Sequence, residues 1–132
     1  MSLPFPLNEL VDQEVTQVCI GLAQVQIHLC RQPQSGPPDT WDAGARIDVE
    51  SAYTLDEGAT HVSRVEPRMF KLAAAPLTRL LGETVTEAHA GQRNELRLRF
   101  SNGLALRLHT DPQGLDAFHV HAMGKSITVT SP

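Results

Sequence analysis

The segment Pro6-Leu7-Asn8-Glu9-Leu10 through Val15-Thr16 to Gly21 returns 70 residues later as Pro76-Leu77-Thr78-Arg79-Leu80 through Val85-Thr86 to Gly91. Six of sixteen aligned positions are identical, where about one would be by chance at residue frequencies on the order of 5–10 %. A unit of about 60 residues rarely buries its own apolar face, whereas two packed units share a core. The echo therefore predicts two copies of one supersecondary unit, about residues 6-66 and 76-132, in a single domain spanning residues 1-132.

Each copy opens on a helix signal, with Pro at the first helical position and leucines three residues apart. The second copy adds Gly82 where a C-cap belongs. This predicts short helices from Pro6 to about Val11 and from Pro76 to Leu81, with a break before Pro76 because proline disfavours helix in the preceding residue. Strand patterns follow: Val18 and Ile20, then Val25, Ile27 and Leu29, alternate with polar residues, as do Leu96, Leu98 and Phe100, then Leu104, Leu106 and Leu108.

Parity tests the turn at Ser101-Asn102-Gly103. A two-residue Asn-Gly loop sets Leu98 against Arg107, whereas a three-residue loop pairs Leu98 with Leu106 and Leu96 with Leu108, with Gly103 left-handed. Phe118 and Val120 likewise match Ile127 and Val129 across Met123-Gly124, and Ile47-Asp48-Val49-Glu50 with Tyr53-Thr54-Leu55 and Gly58 take the equivalent places in the first copy. Residues 31 to 45 hold Gln32-Pro33-Gln34-Ser35-Gly36-Pro37-Pro38-Asp39 and read as a long loop. The sum is an α+β fold: two tandem copies of a short helix followed by antiparallel β-hairpins, mostly β and pseudo-twofold.

A 132-residue chain of net charge −4 lacks the cationic excess by which proteins neutralise phosphates, which argues against nucleic acid as a partner. No apolar run reaches the length needed to span a bilayer, and Met1 to Pro6 form no signal peptide, so no membrane association and a cytoplasmic location are expected. Cys19 and Cys30 are the only cysteines. The hairpin register does not place them opposite each other, and both read as free thiols.

The bulged hairpin sets Arg97 against Arg107 on the outer face, with Arg99 and His109 beside them and Glu95 opposite His109. Like charges facing across a ladder are unfavourable by about 0.2–1 kcal/mol. Compensation comes from a neighbouring strand carrying Asp48, Glu50 or Glu87, from a bound anion, or from an acidic partner. Trp41, the only tryptophan, adjoins the Pro-rich loop, where it anchors that loop or serves as a partner hot spot.

His119-Val120-His121 places two imidazoles on one face of a strand, a possible metal edge, with His109, His28, Asp48 and Glu50 as candidate further ligands; the competing reading is two exposed histidines opposite Ser126 and Thr128. No nucleophile elbow, phosphate loop, dinucleotide fingerprint, C-x-x-C or H-E-x-x-H occurs, so no catalytic residues and no cofactor are implied. Asp111 and Asp116 flank Pro112-Gln113-Gly114 and read as turn residues.

Leu10-Val11, Val15 through Gly21, Phe100-Ser101-Asn102-Gly103 and the closing Phe118-His119-Val120-His121 with Ile127-Thr128-Val129 together resemble a group of short bacterial β-rich proteins of unknown function. Some of that group are suspected to be immunity partners of bacterial toxins. The resemblance implies binding rather than catalysis and supplies no site residues. The expectation is a non-catalytic binding protein that engages an acidic protein or anionic ligand through Arg97, Arg99 and Arg107 or through Trp41. The alternatives are a metal protein built on His119 and His121, and a structural homo-oligomer, most simply a homodimer joined at the strand edge Ile127 to Thr130.

Overall fold

The computed structural model describes residues 7–31, 44–57, 61–110, 118–122 and 125–129. Ten strands lie among them: β1 (Glu14–Ile20), β2 (Val25–Cys30), β3 (Arg46–Val49), β4 (Tyr53–Glu57), β5 (His61–Val65), β6 (Val85–Ala90), β7 (Leu96–Phe100), β8 (Leu104–Leu108), β9 (Phe118–Ala122) and β10 (Lys125–Val129). They form two antiparallel five-stranded sheets, ordered β1-β2-β3-β9-β10 and β5-β4-β8-β7-β6.

The fold is therefore mainly β, and the expected α+β arrangement of tandem helix-and-hairpin units is incorrect. Where helices were expected, Leu7–Leu10 and Ala75–Leu80 form 3₁₀ turns, and among the described residues the only α-helix is α1 (Phe70–Ala73). Such short segments make too few i→i+4 bonds to offset the cost of helix nucleation. At the second, Pro76 has no N–H to give, and the segment closes instead on tighter bonds, Leu77 N to Ala74 O at 2.9 Å and Leu81 N to Thr78 O at 3.1 Å. The break expected before Pro76 is present, since α1 ends at Ala73.

The units are not tandem either. β3 and β4 do not pair with each other: β3 lies between β2 and β9, and β4 lies between β5 and β8. Buried Ser51 and Ala52 carry the chain from one sheet to the other, with Ala52 O accepting from His109 N at 2.9 Å. Each sheet thus takes three strands from one half of the chain and two from the other.

The hairpin registers agree with the parity argument. Leu96 faces Leu108, Arg97 faces Arg107 and Leu98 faces Leu106, with Gly103 at φ 89°. Val120 faces Ile127 and Phe118 faces Val129. Cys19 lies across from Gln26 and Cys30 from Glu14, so the two do not face each other and form no disulfide. The expected loop residues 32–43, including Trp41, lie outside the described residues, as do Gly58, Met123, Gly124, Asp111 and Asp116.

The sheets meet where β1 and β6 begin. Asp12 N donates to Val85 O at 2.8 Å, Val85 N to Gln13 O, Val15 N to Glu83 O and Gly82 N to Val15 O, each of these three at 2.9 Å. Asp12 (φ 72°) and Gly82 (φ 81°) both turn left-handed to allow this. Gly does so freely, and Asp is among the few other residues that tolerate the conformation. One buried apolar cluster lies between the sheets, with Ile47 and Phe118 from the first, Leu98 and Leu106 from the second, and Leu10, Phe70 and Leu80 from the turns.

Tyr53, 2 % exposed, belongs to this cluster, and burial pushes its phenol above the ordinary value of 10.0. The folded state holds that proton more tightly than the unfolded chain, so the associated stability is complete below about pH 10 and is lost as pH rises beyond it. It is the only tyrosine, so near-ultraviolet absorbance follows its ionisation alone. The expected result is that the phenolate forms only as the chain unfolds, and that Tyr53→Phe moves alkaline unfolding to higher pH. A reversible, ordinary titration in the folded protein would show the phenol to be solvated.

Candidate binding face

Strand alternation that sends Leu96, Leu98, Leu106 and Leu108 inward turns Arg97, Arg99 and Arg107 outward. Across the second sheet the registers align Arg64, Thr54, Arg107, Arg97 and His89 in one row. The adjacent row runs Val62, Asp56, Ala105, Arg99 and Glu87. Three guanidiniums thus share a ladder row with a single hydroxyl between two of them.

Their neutralisation is uneven. Arg99 Nε lies 3.2 Å from Glu87 Oε2, Arg107 Nη2 lies 3.5 Å from Asp56 Oδ2, and Arg64 Nε lies 2.9 Å from Glu66 Oε1. Arg97 is exposed and, among the described residues, has no carboxylate within ion-pair distance. Asp56 is only 13 % exposed at its side chain, and its Oδ1 is buried without a hydrogen-bond partner among the described residues. The acid at Glu87 was legible in the sequence. Asp56 and Arg64 were not, because the sequence placed β4 beside β3 and gave no signal for β5.

At one end of this face, His109 Nδ1 lies 2.6 Å from Glu95 Oε2 and His109 Nε2 lies 2.5 Å from Thr54 Oγ1. The expected Glu95–His109 contact is present. With Thr54 and His109 both buried, this chain of bonds fixes the strand ends and satisfies polar groups that would otherwise be costly.

The histidines of β9 lie on the outer face of the other sheet, opposite Ser126 and Thr128. His121 Nδ1 is 2.6 Å from Ser126 Oγ and its Nε2 is 2.9 Å from Asp48 Oδ2. His119 Nδ1 is 2.9 Å from Thr128 Oγ1 and its Nε2 is 3.3 Å from Glu50 Oε2. Each ring thus bridges a carboxylate at Nε2 and a hydroxyl at Nδ1.

Of the candidate further ligands, Asp48 and Glu50 adjoin these histidines, whereas His109 lies on the other sheet. Arg46 also donates twice to Asp48, at 2.8 and 3.1 Å. Among the described residues, no three His, Cys, Asp or Glu side chains gather closely enough to hold a metal ion. His28, two strands from β9, has its pKa lowered by burial and then by the Arg46 charge, against the opposing pull of Asp48.

No helix among the described residues is long and apolar enough to cross a membrane. A model described as a family of unknown function, DUF6188, matches residues 6–132. No curated protein and no solved structure matches the chain.

Proposed function

We propose, for a chain that belongs to this family of unknown function, a non-catalytic binding role in which the outer face of the second sheet engages an acidic protein surface around Arg97. Arg97 carries the reading: it stands against Arg107 and, unlike Arg99 and Arg107, has no carboxylate partner among the described residues. A partner carboxylate placed there would relieve the like-charge contact and form a forked, charge-assisted pair with the guanidinium. Among the described residues these guanidiniums stand on the outer face of a sheet, which favours a protein surface over a small anion. The net charge of −4 favours discrete carboxylates over a polyphosphate chain. An immunity partner of a toxin would use such a surface.

Arg97→Glu separates binding from stability. Opposite Arg107 the new carboxylate makes a favourable cross-strand pair, so stability rises by about 0.2–1 kcal/mol. Binding to an acidic partner is lost, because the centre of the face changes sign. Quantitative pull-down from extracts of the source cells, comparing wild type with this variant, should recover acidic proteins with wild type alone. Equal recovery by both chains would overturn the reading.

A further inference from the structure

Of the four outer edges of the two sheets, three are interrupted or partly covered by local features. β1 and β6 each carry a register break near their start, between Val15 and Gln17 and between Val85 and Glu87. Their first residues also bond to one another. β5 runs into Glu66-Pro67, and its outward Arg64 is paired with Glu66. Bulges, charges and proline are the usual means of closing an edge to foreign strands.

β10 differs. Its five residues pair with β9 without a register break, and among the described residues no strand lies beyond it. Its outer face carries two hydroxyls, Ser126 and Thr128, and Ile127 is only half-buried. The main-chain groups of alternate residues point to opposite neighbours. The Ala122–Lys125 pair, closed by a two-residue connection, bonds within the hairpin. Those of Ser126 and Thr128 therefore face the open edge.

We propose that β10 pairs antiparallel with β10 of a second copy, about a twofold axis through Ile127, so that two first sheets join into one of ten strands. Only that register overlaps all five residues. It sets Ser126 opposite Thr128 of the second copy, where their outward main-chain groups make four N–H to C=O bonds. Ile127 meets its own copy on the inner side, and Lys125 falls at the end of the seam opposite Val129. The interface is isologous, as a closed dimer requires.

The hydroxyls also fit. Ser126 already bonds His121, and Thr128 bonds His119. Across the seam the row Asp48–His121–Ser126 meets Thr128–His119–Glu50 of the second copy, so two separate polar rows become one continuous network. A five-residue seam is short, so the dimer is reversible and depends on concentration.

Sedimentation velocity over the micromolar range should show mass rising from 14.4 kDa towards twice that value. Thr128→Pro removes an N–H on the open side and leaves the β9 ladder bonds in place, so it should stay monomeric with an unchanged circular dichroism spectrum. Hydrogen exchange supplies a measurement that needs no variant: the Ser126 and Thr128 amides should exchange more slowly as concentration rises. A chain monomeric throughout with fast exchange at both amides, or a dimer that survives Thr128→Pro, would overturn the proposal. If Thr128→Pro fails to fold, the exchange of the two wild-type amides decides the matter.

Discussion

Gly44→Ala is expected to lower stability by about 3–5 kcal/mol, a large share of the roughly 5–15 kcal/mol available to a domain. A β-carbon at this position would overlap the carbonyl oxygen of Leu29 and lie 2.5 Å from its carbon and 2.6 Å from Cα of Cys30. All three are main-chain atoms, so no side-chain rotation relieves the overlap. The backbone has to move where it is most constrained, since Leu29 N donates to Ala45 O at 2.8 Å and Ala45 N donates to Gln13 Oε1 at 3.0 Å. Relief therefore costs the start of the β2–β3 ladder and a bond to the buried Gln13. Urea denaturation measures the loss directly. With a slope of about 1–3 kcal/mol/M, the midpoint should fall by more than about 1 M, and an unchanged midpoint would show that the close approach is absent.

Phe70→Ala carries the second large effect, about 3–5 kcal/mol. Phe70 is fully buried, and its ring centroid lies 5.8 Å from that of Tyr53 with the planes at 33°. It is the only fully buried side chain of α1, so truncation opens a cavity and releases the helix from the sheet. Phe70→Leu, which fills most of that volume, should recover a substantial part of the loss. If thermal melting shows the two variants equally destabilised, ring contact rather than volume holds this corner.

The parts of the fold legible in the sequence are those fixed by near neighbours along the chain. Leu98, Leu106 and Gly103 set the β7–β8 register by parity, and with it the opposition of Arg97 and Arg107. Phe118 and Ile127 did the same for β9 and β10, which placed the histidines opposite Ser126 and Thr128. What alternation does not encode is which strand lies beside which over long separations. Ile47 and Tyr53 both read as inward strand residues, yet nothing in their spacing assigns them to different sheets. That choice put Asp56, rather than Asp48, beside Arg107.

β5 was missed for a related reason. His61-Val62-Ser63-Arg64-Val65 has no clean apolar alternation, because Ser63 lies opposite Leu55 where a hydrophobic residue would have signalled a strand. The two expected helices are 3₁₀ turns because Pro and Leu spacing reports the start of a turn without reporting its length. At the site, the sequence supplied the arginines but not the acids that neutralise two of them. It therefore could not single out Arg97.

The exchange of strands between the two halves has a consequence for how the chain reaches its native state. Neither sheet can be completed by a contiguous stretch of polypeptide: β3 waits for β9 in the first sheet, and β4 waits for β8 in the second. The ordering entropy of those long closures is paid before most of the pairing that rewards it, which slows folding relative to a row of local hairpins. The same interlock ties the halves together, because parting them requires breaking a central ladder in both sheets at once.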